Sequence, residues 1–112
     1  MAKSQPQYPG QFEQMVLLAI LRLGPDAVAL EIRDELERQA RRRVSRGALY
    51  RTLERMREKG YVSWTIGGEV GRGGHQRRLF RVSKRGLSAL RDSRETLLNL
   101  WDGVEPLLEA SS

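Results

Sequence analysis

The residues of this chain best suited to chemistry lie between Val44 and Tyr61, VSRGALYRTLERMREKGY, and the chemistry they suit is holding an anion. Ser45, Arg46, Gly47, Tyr50 and Arg51 crowd the start of a predicted helix. A helix start carries unpaired N–H groups and the positive end of the helix dipole. Arginine reaches phosphate or guanine, and a phenol donates one directed hydrogen bond. Ser45 has the short hydroxyl of an N-cap, and Gly60 stands where a helix closes with positive φ. Leu49, Thr52, Leu53 and Met56 fall on one side at helical spacing and would face a core. Gly47, Tyr50, Arg51 and Glu54 fall on or near the other side. Glu54 and Glu58, offset by Arg57 and Arg55, would keep the second half of the helix away from an anionic surface. A surface helix with a solvated charged face is the plain alternative, and the neighbouring elements decide between the two.

Those neighbours supply the frame. Gly10 to Leu23 is predicted helical, apolar nearly all round through Phe12, Met15, Val16, Leu18, Ile20 and Leu21, so two surfaces must cover it. Gly24-Pro25-Asp26 ends it. A second helix is expected from about Ala27 to Ala40, with Ala29, Ile32, Leu36 and Ala40 inward and Glu31, Arg33, Asp34, Glu35, Glu37 and Arg38 in water. Arg41-Arg42-Arg43-Val44 then leads into the stretch described above, which is the layout of a helix-turn-helix. After Gly60 the period falls to two: Val62, Trp64 and Ile66 alternate with Ser63 and Thr65. A glycine-rich segment follows, then a return strand from Arg77 to Val82, so a hairpin carries Arg72, His75, Gln76, Arg77, Arg78 and Arg81 on its tip and return. A helix-turn-helix followed by a basic hairpin is a winged helix.

Composition narrows the function classes. Twenty Lys+Arg against fourteen Asp+Glu leave a net charge of +6, which favours an anionic partner. With 112 residues and no cysteine, the chain lacks the bulk for a deep catalytic cleft and has no thiolate for a metal or a nucleophile. The glycines at 67, 68, 71, 73 and 74 are not followed by Lys-Ser/Thr and a helix, as a phosphate-binding P-loop requires. His75 is the single histidine, so no metal site is expected, and no cofactor. Glu31, Asp34, Glu35 and Glu37 read as a solvated helix face, not as paired catalytic acids, and Trp64 as a strand-face or core residue. No stretch is long and apolar enough to span a bilayer, so a cytoplasmic protein is expected, nucleoid-associated when bound to DNA.

Three segments, FEQMVLLAILRLG (12–24), VSRGALYRTLERMREKGYV (44–62) and GGHQRRLFRVSKRG (73–86), resemble the PadR family of bacterial winged-helix transcriptional regulators. The resemblance covers about residues 10–90 and implies a dimer on operator DNA, its recognition helix in the major groove and its wing on the backbone or minor groove. Ser45, Gly47 and Tyr50 match the family's DNA-facing positions, and Arg78-Leu79-Phe80 matches its basic-aromatic-aromatic strand. Two departures stand out: Val28-Ala29 replaces the family's Tyr-Gly pair at the second helix, and Leu79 replaces the first strand aromatic. The short C-terminal region argues against a separate ligand-binding domain.

The last predicted helix, from Lys84 to Trp101, is capped by Ser83, and Gly103 and Pro106 should break or bend it. Leu87, Leu90, Arg94, Leu97, Trp101 and Val104 recur at intervals of three and four, the seam of a two-helix packing. Such a helix either folds back on its own domain or joins two subunits, and the resemblance favours dimerisation, with Met15 and Leu18 on the facing helix. Trp101 either fills that dimer core or stacks a small-molecule effector where the subunits meet.

The expected architecture is thus an α+β, mostly helical winged helix-turn-helix: a loose arm over 1–9, a DNA-binding domain over 10–83, and a dimerisation helix with tail over 84–112. The expected function is sequence-specific binding of a double-stranded operator by a homodimer, most simply as a repressor. A winged-helix module that binds another protein is the alternative.

Overall fold

A computed structural model of the chain describes residues 8–67 and 77–110. Five helices and one hairpin follow in order: α1 (Gln11–Leu23), α2 (Ala29–Ala40), α3 (Arg46–Glu58), β1 (Val62–Gly67), β2 (Arg77–Val82), α4 (Lys84–Trp101) and α5 (Glu105–Ala110). The core forms where α1, α2, α3 and the hairpin converge: Val16, Leu17, Ile20, Ile32, Leu49, Leu53, Met56 and Phe80 are all but excluded from water. Leu49, Thr52, Leu53 and Met56 are the buried face of α3, as their spacing predicts. Met15, Leu23, Tyr50, Trp64 and Leu90 close the edges of this cluster.

Capping sets the helix boundaries. The Ser45 hydroxyl accepts the Ala48 amide at 3.1 Å and starts α3; Ser83 does the same for α4, accepting from Gly86 at 3.0 Å. Glu13 and Glu31 reach back from the first turns of α1 and α2 to the amides of Gly10 and Val28, both at 3.1 Å. Gly60, at φ +81°, turns the chain out of α3 and into β1. Gly86 lies against the Tyr61 carbonyl so closely that a Cβ would sit 2.3 Å from that oxygen. The first turn of α4 is thereby pressed onto the entry to the hairpin.

The hairpin is antiparallel, with Val62 opposite Val82, Trp64 opposite Phe80 and Gly67 opposite Arg77. Trp64 meets Phe80 edge-on, ring centroids 5.4 Å apart. Ala27 forms an isolated antiparallel bridge to Phe80, whose amide donates to the Ala27 carbonyl at 2.8 Å.

That bridge corrects the expected start of the second helix. Ala27 is extended and α2 begins at Ala29, because the backbone of residue 27 is taken by β2. Two side chains of α2 also differ from expectation. Ala40 is exposed, and Glu35 is buried between Arg22 and Arg38, each at 2.6 Å. The chain breaks between α4 and α5 around Gly103, and Leu107 and Leu108 lie in the short α5. The metal-ligand grouping of three or more His, Cys, Asp or Glu is absent among the described residues. None of the described helices is long and apolar enough to cross a membrane.

Candidate nucleic-acid interface

The N-terminal end of α3 gathers the expected anion-binding groups. Ser45, Arg46, Gly47 and Arg51 are exposed there, and Tyr50 is half-buried one turn inside the cap. The amides of a first helical turn have no intrahelical acceptor. Ser45 takes that of Ala48, which leaves those of Arg46 and Gly47 facing outward with the positive end of the helix dipole.

Arg77, at the start of β2, opens onto the same groove as Arg46 and Tyr50, between the first turns of α2 and α3 and the hairpin. Helix start and wing strand therefore share one face. Among the described residues, Arg46, Arg51 and Arg77 form no ion pair, whereas Arg22, Arg38, Arg43, Arg55, Lys59, Arg78 and Arg81 are each bound to an acid. Guanidinium groups without an acid partner, as Arg46 and Arg77 are in that groove among the described residues, suit a polyanion. Arg72, His75 and Gln76 lie outside the described residues.

Several basic residues are spoken for. Arg81, on the hairpin's return strand, is paired with Asp26 at 2.9 Å and ties β2 to the α1–α2 turn. Within the run 41–43, Arg42 lies 4.8 Å from the centre of the Phe12 ring and Arg43 pairs with Glu37 at 3.2 Å. Arg33 donates to the Val44 carbonyl at 3.1 Å and holds the turn that delivers α3.

The acids of α3 are compensated differently from the local pattern expected. Glu54 pairs with Arg78 of β2 at 3.3 Å, while Arg57 stacks on Trp64 at 4.2 Å and Arg55 reaches Glu13 at 3.5 Å. Arg78, Arg33 and Glu13 were not legible as positioning groups from sequence, since each acts on a partner far along the chain. Only Glu13 leaves a local signal, at the third position of a helix that opens with glycine.

The expected dimer residues divide by exposure. Leu18, Leu97, Trp101 and Val104 are open to water, Trp101 at 41%, while Met15 and Leu90 are half-buried against the core. Leu98, Leu100, Leu107 and Leu108 are exposed as well.

Two antiparallel strands behind a helix-turn-helix, with a basic face shared by α3 and β2, define a winged helix-turn-helix protein. The profile described as the transcriptional regulator PadR-like family matches residues 17–92, and the chain belongs to that family. Its members are regulators, so the chain is a transcriptional regulator and not an enzyme. Among solved structures it is similar to a PadR-like transcription factor from Bacteroides fragilis, with 26% identity, TM-score 0.72, and 88% and 90% of the two chains covered. A PadR family transcriptional regulator from Eggerthella lenta is 25% identical, with TM-score 0.66 and 86% and 82% covered. The fold is shared with a PadR-like regulator from Bacillus cereus, 22% identical, TM-score 0.69, with 87% and 90% covered. No curated protein matches the chain.

Proposed function

We propose that this regulator binds a pseudo-palindromic DNA operator as a homodimer and represses transcription by occupying the promoter. The observation that carries the reading is the groove that Arg46 of α3 and Arg77 of β2 line together beside Glu31 and Asp34 of α2, with Arg51 exposed further along α3; none of these three arginines forms an ion pair among the described residues. The first two turns of α3 enter the major groove, with Gly47 allowing close backbone approach, Tyr50 donating to a phosphate and Arg51 reaching a base edge. Arg77, together with Arg72, His75 and Gln76, serves the backbone or minor groove.

Dimerisation is supported by the exposed apolar stripe of α4. Leu97 and Trp101 lie one turn apart on α4, Val104 is exposed just past the break that ends the helix and so leaves the expected seam, and Leu18 is an exposed leucine of α1. One recognition helix per subunit then needs two half-sites about one helical turn apart, roughly 10 bp centre to centre. Trp101, exposed near the end of α4, would in such a dimer stack a planar effector where the subunits meet.

Selection of bound sequences from a random duplex pool, followed by stoichiometry on the winning duplex, tests the whole reading. The expected result is an inverted repeat bound by two chains. A single half-site bound by one chain would defeat the dimer. No enrichment at all would defeat operator binding and return the chain to a protein-interaction role.

A further inference from the structure

Arg77 and Arg78 are neighbours on β2 and differ in what they touch. Strand alternation puts Arg78 on the face of Phe80 and, across the ladder, of Trp64 and Ile66. There its guanidinium pairs with Glu54 of α3 at 3.3 Å and lies 4.8 Å from the centre of the Trp64 ring and 5.9 Å from that of Tyr50. One planar cation thus joins β1, β2 and α3. Trp64 takes a second guanidinium from Arg57 at 4.2 Å, and Tyr50 one from Arg46 at 5.7 Å. Tyr50 lies in the first half of α3, beside Arg51, so whatever fixes its ring also fixes the pitch of the DNA-facing end of the helix.

We propose that Arg78 is a positioning residue for DNA recognition, docking α3 onto the hairpin through Glu54, Trp64 and Tyr50 instead of binding phosphate itself. The inference rests on the DNA-binding reading above. Its charge is already met by Glu54, whereas Arg77 has no acid partner among the described residues. Glu54 in turn ceases to be an acid that repels the DNA backbone and becomes the anchor of the cation. The site calls for arginine: a planar fork pairs with a carboxylate while lying flat on rings, whereas the ammonium of lysine is a point charge that cannot stack.

The test uses the full chain labelled with 5-fluorotryptophan and read by fluorine NMR without DNA, the Trp64 signal being identified by its loss in Trp64→Phe. Arg78→Lys, Arg78→Gln and Glu54→Gln should each move the Trp64 resonance and leave that of Trp101 in place. The same variants are then titrated with the selected duplex and with random duplex over a range of salt. Arg78→Lys, which keeps the charge, should lower the ratio of selected to random affinity by about tenfold. Arg78→Gln should do the same with an unchanged salt slope on random duplex. The Glu54→Gln/Arg78→Gln double variant should lose no more than the worse single one. If Arg78→Gln fails to fold, Arg78→Lys carries the test alone.

A salt slope shallower by about one unit in Arg78→Gln, with the ratio intact in Arg78→Lys, would make Arg78 an ordinary phosphate anchor and overturn the proposal. An unmoved Trp64 resonance in all three variants would overturn it too. Equal affinity of the unaltered protein for selected and random duplex would instead defeat the DNA-binding reading. The Trp64 signal would then still decide whether Arg78 docks the helix on the hairpin.

Discussion

The carboxylate of Glu13, in the first turn of α1, accepts from Lys59 at 3.0 and 3.2 Å, bridging 46 positions of sequence to the C-cap of α3. It is 5% exposed and also accepts from the Gly10 amide and from Arg55. The C-terminal end of α3 is therefore held by α1, the helix that also carries Leu18.

This tie predicts acid sensitivity. Burial pushes the Glu13 carboxyl up, but Lys59, the Gly10 amide and Arg55 together outweigh it and hold it below the usual range. Hydrogen bonds from Arg22 and then Arg38 hold Glu35 low in the same way. A folded carboxyl with a lowered pKa stabilises the fold above the ordinary carboxylate range, and that contribution is lost as pH falls through it. Urea midpoints should therefore drop from about pH 5 downward. Glu13→Gln should cost about 1–3 kcal/mol at neutral pH and flatten that dependence. A variant curve running parallel to the wild type through the acid range would speak against the tie.

Gly86→Ala should destabilise the protein by about 1–3 kcal/mol, against the usual preference for alanine inside a helix. The added Cβ would meet the Tyr61 carbonyl oxygen at 2.3 Å and Val82 at 2.8 Å, and backbone cannot step aside as a flexible side chain can. Thermal denaturation measures this directly; an unchanged or raised midpoint would contradict the close approach.

Ser83→Ala removes two bonds at once. The Ser83 hydroxyl accepts the Gly86 amide and donates to the Gly60 carbonyl, joining the start of α4 to the turn after α3. The expected cost is about 1–2 kcal/mol. Amide exchange should speed up in the first turn of α4 ahead of global unfolding; uniform acceleration across the chain would argue for a different role.

On DNA, Arg77, Arg51 and Tyr50 should separate by kind. Arg77→Ala should weaken all duplexes alike and reduce the salt slope by about one unit. Arg51→Ala should cost about 1–3 kcal/mol on the operator and relax preference at one base pair per half-site. Tyr50→Phe, losing only a hydroxyl, should cost about 0.5–1.5 kcal/mol per site. Glu58→Gln should leave specificity almost unchanged. Competition binding across a panel of single-base operator variants distinguishes these outcomes. Loss of preference in Glu58→Gln with none in Arg51→Ala would mean that the helix enters the groove from its other end.

What the sequence determined by itself is whatever short-range forces decide. The buried stripe Leu49–Thr52–Leu53–Met56, the Ser45 and Ser83 caps, the stop at Gly60 and the period-two strand through Val62 and Trp64 all follow from spacing and backbone preference within a turn or two. The tertiary structure alone decided which charges remain free. Glu35 was expected in water because its own helix looks polar there, yet Arg22 arrives from α1 and buries it. Ala27 belongs to a helix by composition and to a β-bridge by its meeting with Phe80. Glu54 had an arginine at i+3, and the hairpin brought a different one, Arg78, while Arg57 went to Trp64. Local pairing offers a few tenths of a kcal/mol, so the angle at which elements pack easily overrides it. For that reason the basic face was legible as composition, and only the fold brought Arg46 and Arg77 to one groove while giving Arg78 and Arg81 to acids.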